Sequence, residues 1–500
     1  MQRQYREFRD KLAEGTILLF RLGDFYEVFG HDAEVAAKVL GLTLTKRHET
    51  PMAGLPHHAA PAYVNRLLAA GWKVAICDQL EAPVAGKLVR RGLTRILTPG
   101  TALEDSQLDS RRGNYLAALC WDKQGWHAAW LDVSTADFRL ASDSSPSRLL
   151  PLLHSVSPRE IILPEGLEPS AADREALEVF LQGRAVSRLP GWNFDGAAGA
   201  RLVAQTLSVH GLAGFGLTDE HPALGVAGAV LGYVTDSLCD RPKNLFRLIE
   251  TKLGDSVLLD AASSRNLELF AASGGAREGS LLETIDRTET PAGARLLALW
   301  LAEPSTDLGL ISRRQAAVGE FVRHPGAASR VAEALRGVRD LARILARLQN
   351  RLRNPRELGG IRDRLRARLR AFDAGLQTSG ERGGLAGALQ VFRPSRTFKK
   401  DIRDTEMIHA SGDQVAAHHP GQWIGPVDDG TRDAGQRHGE RHGARADQCG
   451  ATGRRTFGDG SQVDTLGFLA ILGEQTIKFG VHFAAGVQDE RATLGMVTSE

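Results

Sequence analysis

The chain has 500 residues, of which 42% are hydrophobic and 24% are charged, and its formal net charge is +2. This length allows about three domains with their own cores, whereas the near-neutral charge neither predicts nor excludes a nucleic-acid partner. Four scattered cysteines and the lack of any run near ~18 apolar residues argue against a disulfide framework, a zinc ribbon and a membrane span, and favour the cytoplasm.

The beginning of the chain alternates between helical and strand patterns, which predicts a compact α/β unit. Helical spacing marks 4–12, 32–40 and 61–70, and apolar runs of strand length mark 16–20, 25–29, 72–76 and 95–97. Between the first two strands, Leu22, Gly23 and Asp24 supply the residue types that a tight turn requires.

Phe25 and Glu27 stand two positions apart on the second predicted strand. Residues with this spacing point to the same side of a strand, so the ring and the carboxylate emerge together. A ring can wedge between stacked bases, and a carboxylate can hydrogen-bond with a base edge. Phe-x-Glu is nevertheless a common triplet, and a strand phenylalanine usually belongs to a core, so the pair needs its context.

Residues 112–225 contain three further strand patterns, at 126–134, 137–140 and 160–163. Asp132 lies on the first of these strands, where an acidic residue suggests nuclease chemistry. A two-metal nuclease needs several convergent carboxylates, and the sequence offers no such set, so we interpret Asp132 as structural.

From residue 245 the chain becomes strongly helical. Two apolar stripes with helical spacing are formed by Leu341, Ile344, Leu345 and Leu348, and by Leu358, Ile361, Leu365 and Leu369. Pro355 lies between the two stripes and predicts a break between two helices.

The order of several short segments supplies the missing context. RLGDFYEVF (21–29) is followed by LTLTKR (42–47), PMAGLPHHA (51–59), VAICDQL (74–80) and LTPGT (97–101). In this order and spacing, the series resembles the N-terminal region of the MutS family of DNA mismatch repair proteins. The later segments 264–269, 280–282, 295–301 and 311–314 also follow in the order of that family.

The resemblance implies a multidomain fold in which α/β units precede an all-α unit. Residues 1–105 are expected to form a mixed α/β mismatch-recognition domain, and 112–225 a connector domain of ribonuclease-H-like shape. Residues 245–389 are expected to form an incomplete helical core domain that acts as a lever.

The resemblance also implies roles for four DNA-binding residues. Phe25 matches the position of the family's wedge residue, and Glu27 that of a discriminating carboxylate. Lys46 and Arg47 resemble residues on a loop that faces the DNA, where they would contact phosphates. The implied partners are double-stranded DNA with mismatches or small loops, a second copy of the chain and a downstream repair factor, in a cytoplasmic, nucleoid-associated protein without membrane contact.

Beyond about Leu389 the composition changes, and Gly, His, Arg and Asp dominate. We interpret 390–500 as a divergent tail of low structure, which is disordered or arises from a frameshift or a truncation. The clamp and ATPase domains of the family are not recognisable, because no glycine-rich loop ends in Gly-Lys-Ser or Gly-Lys-Thr. The family binds ATP and Mg²⁺ in its ATPase domain. Because that domain is not recognisable in this sequence, we expect the chain to bind neither. We also expect it to have no catalytic or metal-binding residue.

Two other functions are compatible with parts of the sequence. The chain could be an inert truncated remnant that folds without acting on DNA. It could also be a metal-dependent nuclease, although Leu44 stands two positions before Lys46, where such sites commonly carry an acidic residue.

Overall fold

The computed structural model describes residues 2–81, 89–336 and 338–350. The predicted helix at 358–369, the predicted tail at 390–500 and the end of the predicted core domain lie outside these residues. Within them, two α/β units are followed by a helical unit, and this order agrees with the sequence-based prediction. The described ranges contain no membrane-spanning helix, since their helices are too short or too polar for one.

The first unit is built on a six-stranded sheet with strand order β3-β4-β2-β1-β5-β6. Only β1 and β5 run parallel, and the other neighbouring strands of this sheet are antiparallel. Its elements are α1 (Gln2–Arg9), β1 (Thr16–Leu22), β2 (Phe25–Phe29), α2 (His31–Leu40), β3 (Thr45–Arg47), β4 (Thr50–Pro56), α3 (Ala60–Ala69), β5 (Lys73–Gln79) and β6 (Arg91–Leu97).

The two faces of this sheet are covered unequally. Side chains alternate between the faces along each strand. One face, with Ile17, Leu19 and Tyr26, forms a core with α2 and α3. The other face packs against α1 around Leu18 and Phe20. The α1 helix does not cover the beginning of β2 on this face. Phe25 is the first residue of β2 and lies at this uncovered end.

The hairpin that joins β3 to β4 carries two residues in a strained backbone conformation. His48 and Glu49 form its two-residue loop with φ angles of 46° and 62°. Positive φ at both loop positions is the conformation that Asn-Gly or Asp-Gly pairs adopt most easily. Because a Cβ makes this region unfavourable, the loop lowers the stability of the hairpin.

We therefore expect Glu49→Gly to raise the stability of the first unit by about 0.5–1 kcal/mol. Glu49→Ala is the matched control, since it also removes the exposed 3.7 Å contact with Lys46 but keeps the Cβ. Melting temperatures of the two variants test this expectation. Equal values would show that the loop backbone is not strained.

The second unit contains a six-stranded sheet with strand order β11-β10-β7-β8-β9-β12. Strands β7, β8 and β9 form an antiparallel meander, and β10, β11 and β12 add parallel neighbours. Its elements are β7 (Leu116–Trp121), β8 (Trp126–Asp132), β9 (Asp137–Asp143), α4 (Pro146–Val156), β10 (Glu160–Pro164), α5 (Ala171–Leu181), β11 (Ala185–Leu189), α6 (Gly196–Leu207), α7 (Leu224–Leu238) and β12 (Ile249–Glu250).

Helices also cover both faces of the second sheet. Residues of α6 and α7 share one core with the sheet, and residues of α4 and α5 share the other. The α6 and α7 helices approach closely because Gly199 faces the backbone of Leu224 and Gly228 faces that of Gly199. A Cβ at either glycine would clash with main-chain atoms.

The helical unit comprises α8 (Ala261–Asn266), α9 (Leu281–Ile285), α10 (Pro291–Ala302), α11 (Leu308–Arg323), α12 (Pro325–Leu335) and α13 (Leu341–Gln349). Its arginines hold the segment that joins the first two units. Arg343, which is 2% exposed, donates hydrogen bonds to the carbonyls of Asp109 (2.8 Å) and Arg112 (2.6 Å). Arg295 donates to the carbonyl of Ser110 at 2.8 Å. The helical unit is therefore in direct contact with the linker between the first two units.

Candidate nucleic-acid interface

The β1–β2 hairpin places Phe25 at the open end of the first sheet. Its loop is two residues long, and Gly23 adopts a φ of 62°, which a glycine reaches without steric cost. Leu22 pairs with Phe25 in the strand register, so Phe25 is the first residue of β2. The carbonyl of Asp24 accepts a hydrogen bond of 2.8 Å from the His57 amide, which fixes the loop against the end of β4.

The strand register defines which residues share a face with Phe25. Phe25 lies opposite Pro56, and Glu27 lies opposite Gly54, and directly opposed residues point to the same side. Phe25 is 50% exposed, although it is a large hydrophobic residue. We call the group formed by Phe25, Glu27, Arg47, Gly54 and Pro56 the Phe25 face.

Gly54 leaves open space beside Glu27. A Cβ at this position would meet only the carbonyl oxygen of Tyr26, at 4.0 Å. The backbone of Gly54 does not require a glycine, because its φ lies outside the left-handed region. Gly54, which lies opposite Glu27, therefore adds no side chain to this part of the face.

Tyr26 points away from the Phe25 face and fixes β2 in place. Its ring is 5% exposed, and its hydroxyl donates a hydrogen bond of 2.7 Å to Asp78 on β5. Burial, followed by the contact with Asp78, raises the pKa of Tyr26 well above its usual range, so the hydroxyl remains a hydrogen-bond donor even at alkaline pH. Phe25 therefore lies on a strand that is fixed by the buried Tyr26 on its opposite face.

Glu27 and Arg47 form an ion pair on the Phe25 face. The distance from Arg47 Nη1 to Glu27 Oε2 is 2.8 Å, and the side chains are 40% and 18% exposed, respectively. Arg47 pairs with Thr50, and Glu27 pairs with Gly54. Thr50 and Gly54 are an even number of residues apart on β4, so Arg47 and Glu27 point to the same face. The 20-residue separation in sequence gave no sign of this contact.

The structure places Lys46 and Arg47 on the edge strand β3, whereas the sequence suggested a loop. Lys46 pairs with Pro51, so it points to the sheet face opposite Phe25. Its ammonium group lies in solvent, 3.7 Å from Glu49. Of the four residues predicted to bind DNA, the structure brings Phe25, Glu27 and Arg47 together and separates Lys46 from them.

Gly54 and Pro56 were not predicted as members of the face. They lie in the segment PMAGLPHHA (51–59), for which the sequence predicted no strand. The alternation of buried Ala53 and Leu55 with Met52, Gly54 and Pro56 was the available signal. The prolines at both ends of the segment obscured it, because proline is uncommon in strands.

The described residues offer no counterpart for the nuclease interpretation. Within these ranges, no group of three or more His, Cys, Asp or Glu side chains lies close enough to hold a metal ion. Asp132 is buried and accepts hydrogen bonds from the Asn114 amide (3.0 Å) and from the Ser134 amide (2.9 Å) and hydroxyl (2.6 Å). These contacts give Asp132 a structural role.

Three models of consecutive domains from one protein family match this chain in order. MutS domain I matches residues 1–106, MutS domain II matches 114–245 and MutS domain III matches 262–413. The chain belongs to the MutS family. The match to MutS domain III continues beyond residue 389, where the sequence-based interpretation placed the end of the resemblance.

Curated relatives of this chain carry the name DNA mismatch repair protein MutS. The MutS of Myxococcus xanthus is 38% identical over 354 residues, which cover 70% of this chain and 40% of the relative. The MutS of Paracoccus denitrificans is 39% identical over 373 residues, covering 72% and 42%, respectively. The MutS of Nitrobacter winogradskyi is 36% identical over 421 residues, covering 80% and 46%. The chain spans less than half the length of these relatives.

Proposed function

We propose that this chain binds duplex DNA at mispaired or looped sites, with Phe25 as a wedge between bases. The observation that carries this proposal is the half-exposed Phe25 on a strand whose next residue is buried and hydrogen-bonded. A large apolar ring that is held rigidly in solvent is suited to insertion into a base stack. Membership of the MutS family supports the same function.

The physical basis of such recognition is the ease with which a duplex deforms. A mispaired step stacks poorly, so it is kinked at a lower free-energy cost than a normal step. Stacking of a base on an aromatic ring contributes about 1–3 kcal/mol, which is comparable to the cost of unstacking one step. The wedge therefore binds stably only where the duplex is already weak.

Glu27 would act as the discriminating residue beside the wedge. A base that leaves the stack would meet the carboxylate through the open space above Gly54. Where no base compensates for it, the negative charge of Glu27 repels the phosphates and penalises the matched duplex. Lys46 points away from the Phe25 face, but it is exposed on the edge strand, where it would supply a phosphate contact that does not depend on sequence.

The other two units fit the roles that the resemblance implies. We propose that the second unit is a connector of ribonuclease-H-like shape and that the helical unit is a lever attached to the linker at residues 105–112. Mismatch binding by the first unit needs neither ATP nor Mg²⁺ in this scheme. A second copy of the chain and a downstream repair factor are the proposed partners.

Replacement of Glu27 tests the discrimination step. We expect Glu27→Ala to tighten binding to a matched duplex by about 1 kcal/mol, or about fivefold, because it removes a charge that repels phosphates. The affinity ratio between mismatched and matched duplexes should narrow accordingly. Fluorescence anisotropy with two duplexes that differ at one base measures both affinities.

Glu34→Ala is the matched control for this experiment. Glu34 is an exposed residue of α2, which covers the opposite face of the same sheet, so the variant makes the same charge change away from the site. It should leave the ratio unchanged. Weaker binding of Glu27→Ala to the matched duplex would contradict the proposed discrimination.

A further inference from the structure

We infer that Arg47 is a positioning residue, which holds the Glu27 carboxylate in place and thereby sets the preference for mismatched DNA. This inference rests on the proposed function, and it differs from a role of Arg47 as a simple phosphate contact. A phosphate contact adds affinity for every duplex, whereas a residue that acts through Glu27 changes the ratio between duplexes.

The geometry of the pair supports a role that is directed at Glu27. Arg47 lies opposite Thr50 on β4, whereas Glu27 lies opposite Gly54, so the arginine side chain extends diagonally across β4 to reach the carboxylate. At 2.8 Å the contact has the short distance of a charge-assisted hydrogen bond.

Glu27 receives this support from a single cation. Among the residues that the structure describes, Arg47 is the one basic residue within 4.0 Å of the Glu27 carboxylate. Its strand neighbours Phe20 and Gly54 provide no side-chain donor. Loss of Arg47 would therefore leave the carboxylate free to rotate away from the position in which it meets a base.

The contact also leaves Glu27 able to bind a base. Arg47 reaches Oε2, and no described side chain donates a hydrogen bond to Oε1. The second carboxylate oxygen can accept a hydrogen bond from a base while the first remains held. The β3–β4 hairpin supports this arrangement, because the Thr45 hydroxyl donates a hydrogen bond of 3.1 Å to the carbonyl of Met52 and fixes the base of the hairpin.

The test is a double-mutant cycle on the full chain with Arg47→Met, Glu27→Gln and the combined variant. Affinities for matched and singly mispaired duplexes are measured at several salt concentrations. We expect Arg47→Met to narrow the ratio of the two affinities about fivefold. This change corresponds to a coupling of about 1 kcal/mol, which is within the range for residues in contact. In the Glu27→Gln background, Arg47→Met should leave the ratio unchanged.

The control is Lys46→Met, which removes the neighbouring cation from the other side of the same strand. It should weaken binding to both duplexes by the same factor. The slope of log affinity against log salt concentration should fall by about one, as expected for the loss of one phosphate contact. If Arg47→Met behaves like Lys46→Met in both backgrounds, the positioning role is wrong and Arg47 is a phosphate contact. Circular dichroism of each variant verifies that it folds.

The wild-type chain and Phe25→Ala complete the experiment. A wild-type ratio of one overturns the proposed function and the positioning role together. A clear wild-type preference that Phe25→Ala removes, combined with an effect of Arg47→Met that does not depend on Glu27, overturns the positioning role alone.

Discussion

Phe25→Ala is expected to remove the preference of this chain for mispaired duplexes. The substitution eliminates the stacking of the ring on a base, which contributes about 1–3 kcal/mol, so binding to a mispaired duplex should weaken about 5- to 150-fold. Binding to a matched duplex should change little, because the ring does not enter a well-stacked step. The measurement is competition between two labelled duplexes that differ at one base.

The fold should tolerate this substitution, because Phe25 is 50% exposed and belongs to none of the four cores. Trp192→Ala is the matched control, since it removes an aromatic side chain that is 74% exposed on the second unit. It should leave both affinities unchanged. An unaltered preference in Phe25→Ala would remove the wedge from the proposed mechanism.

Glu160→Ala is expected to destabilise the protein by about 3–5 kcal/mol, because it breaks a buried polar cluster at the junction of the first two units. Glu160 is fully buried. Its carboxylate accepts hydrogen bonds from the Gly100 amide (3.1 Å), the Ser187 hydroxyl (2.7 Å) and the Tyr233 hydroxyl (2.5 Å). The Lys73 ammonium lies 4.0 Å away. Loss of the carboxylate leaves three donors and a cation without their acceptor.

The pH dependence of this variant follows from Lys73. Burial lowers the pKa of Lys73, and the charge of Glu160 opposes that shift. Removal of Glu160 lowers the pKa of Lys73 further. In the pH range between this lowered pKa and the ordinary lysine value of 10.5, the folded protein therefore binds fewer protons than the unfolded chain. The stability of the variant should therefore rise with pH more steeply than that of the wild type.

Urea denaturation followed by tryptophan fluorescence measures this effect, because Trp130 is buried in the second unit and reports its unfolding. Glu165→Ala is the matched control, since Glu165 is exposed in the turn that follows β10. Its stability should stay within about 0.5 kcal/mol of the wild type. Equal midpoints for the two variants would show that the cluster does not hold the units together.

The sequence was sufficient for elements whose pattern is local. The strand Phe25–Phe29 was predicted with the bounds that the structure shows, because a tight turn precedes it and its residues suit a strand. The helix at Leu341–Gln349 followed from its apolar stripe. Strand β4 was not predicted, because its two prolines and its glycine disfavour a strand until the neighbours on either side supply the pairing.

The site was predictable only in part, for the same physical reason. The spacing of Phe25 and Glu27 is a local property of one strand, so their shared face could be inferred. The pairing of Glu27 with Arg47 depends on the registers of β2 with β4 and of β4 with β3, which no single segment encodes. The same registers place the Arg47 and Lys46 side chains on opposite faces of the sheet. This difference could not be inferred while both residues were predicted to lie in a loop.

The most direct test of the proposed function is whether Phe25 unstacks DNA at a mispaired step. A fluorescent adenine analogue, whose emission rises when it leaves the base stack, is placed next to a mispair and, in a second duplex, next to a matched pair. The proposal predicts that the wild-type chain raises the emission of the mispaired duplex alone and that Phe25→Ala raises neither. Equal emission changes in the two duplexes, or an undiminished change with Phe25→Ala, would contradict it.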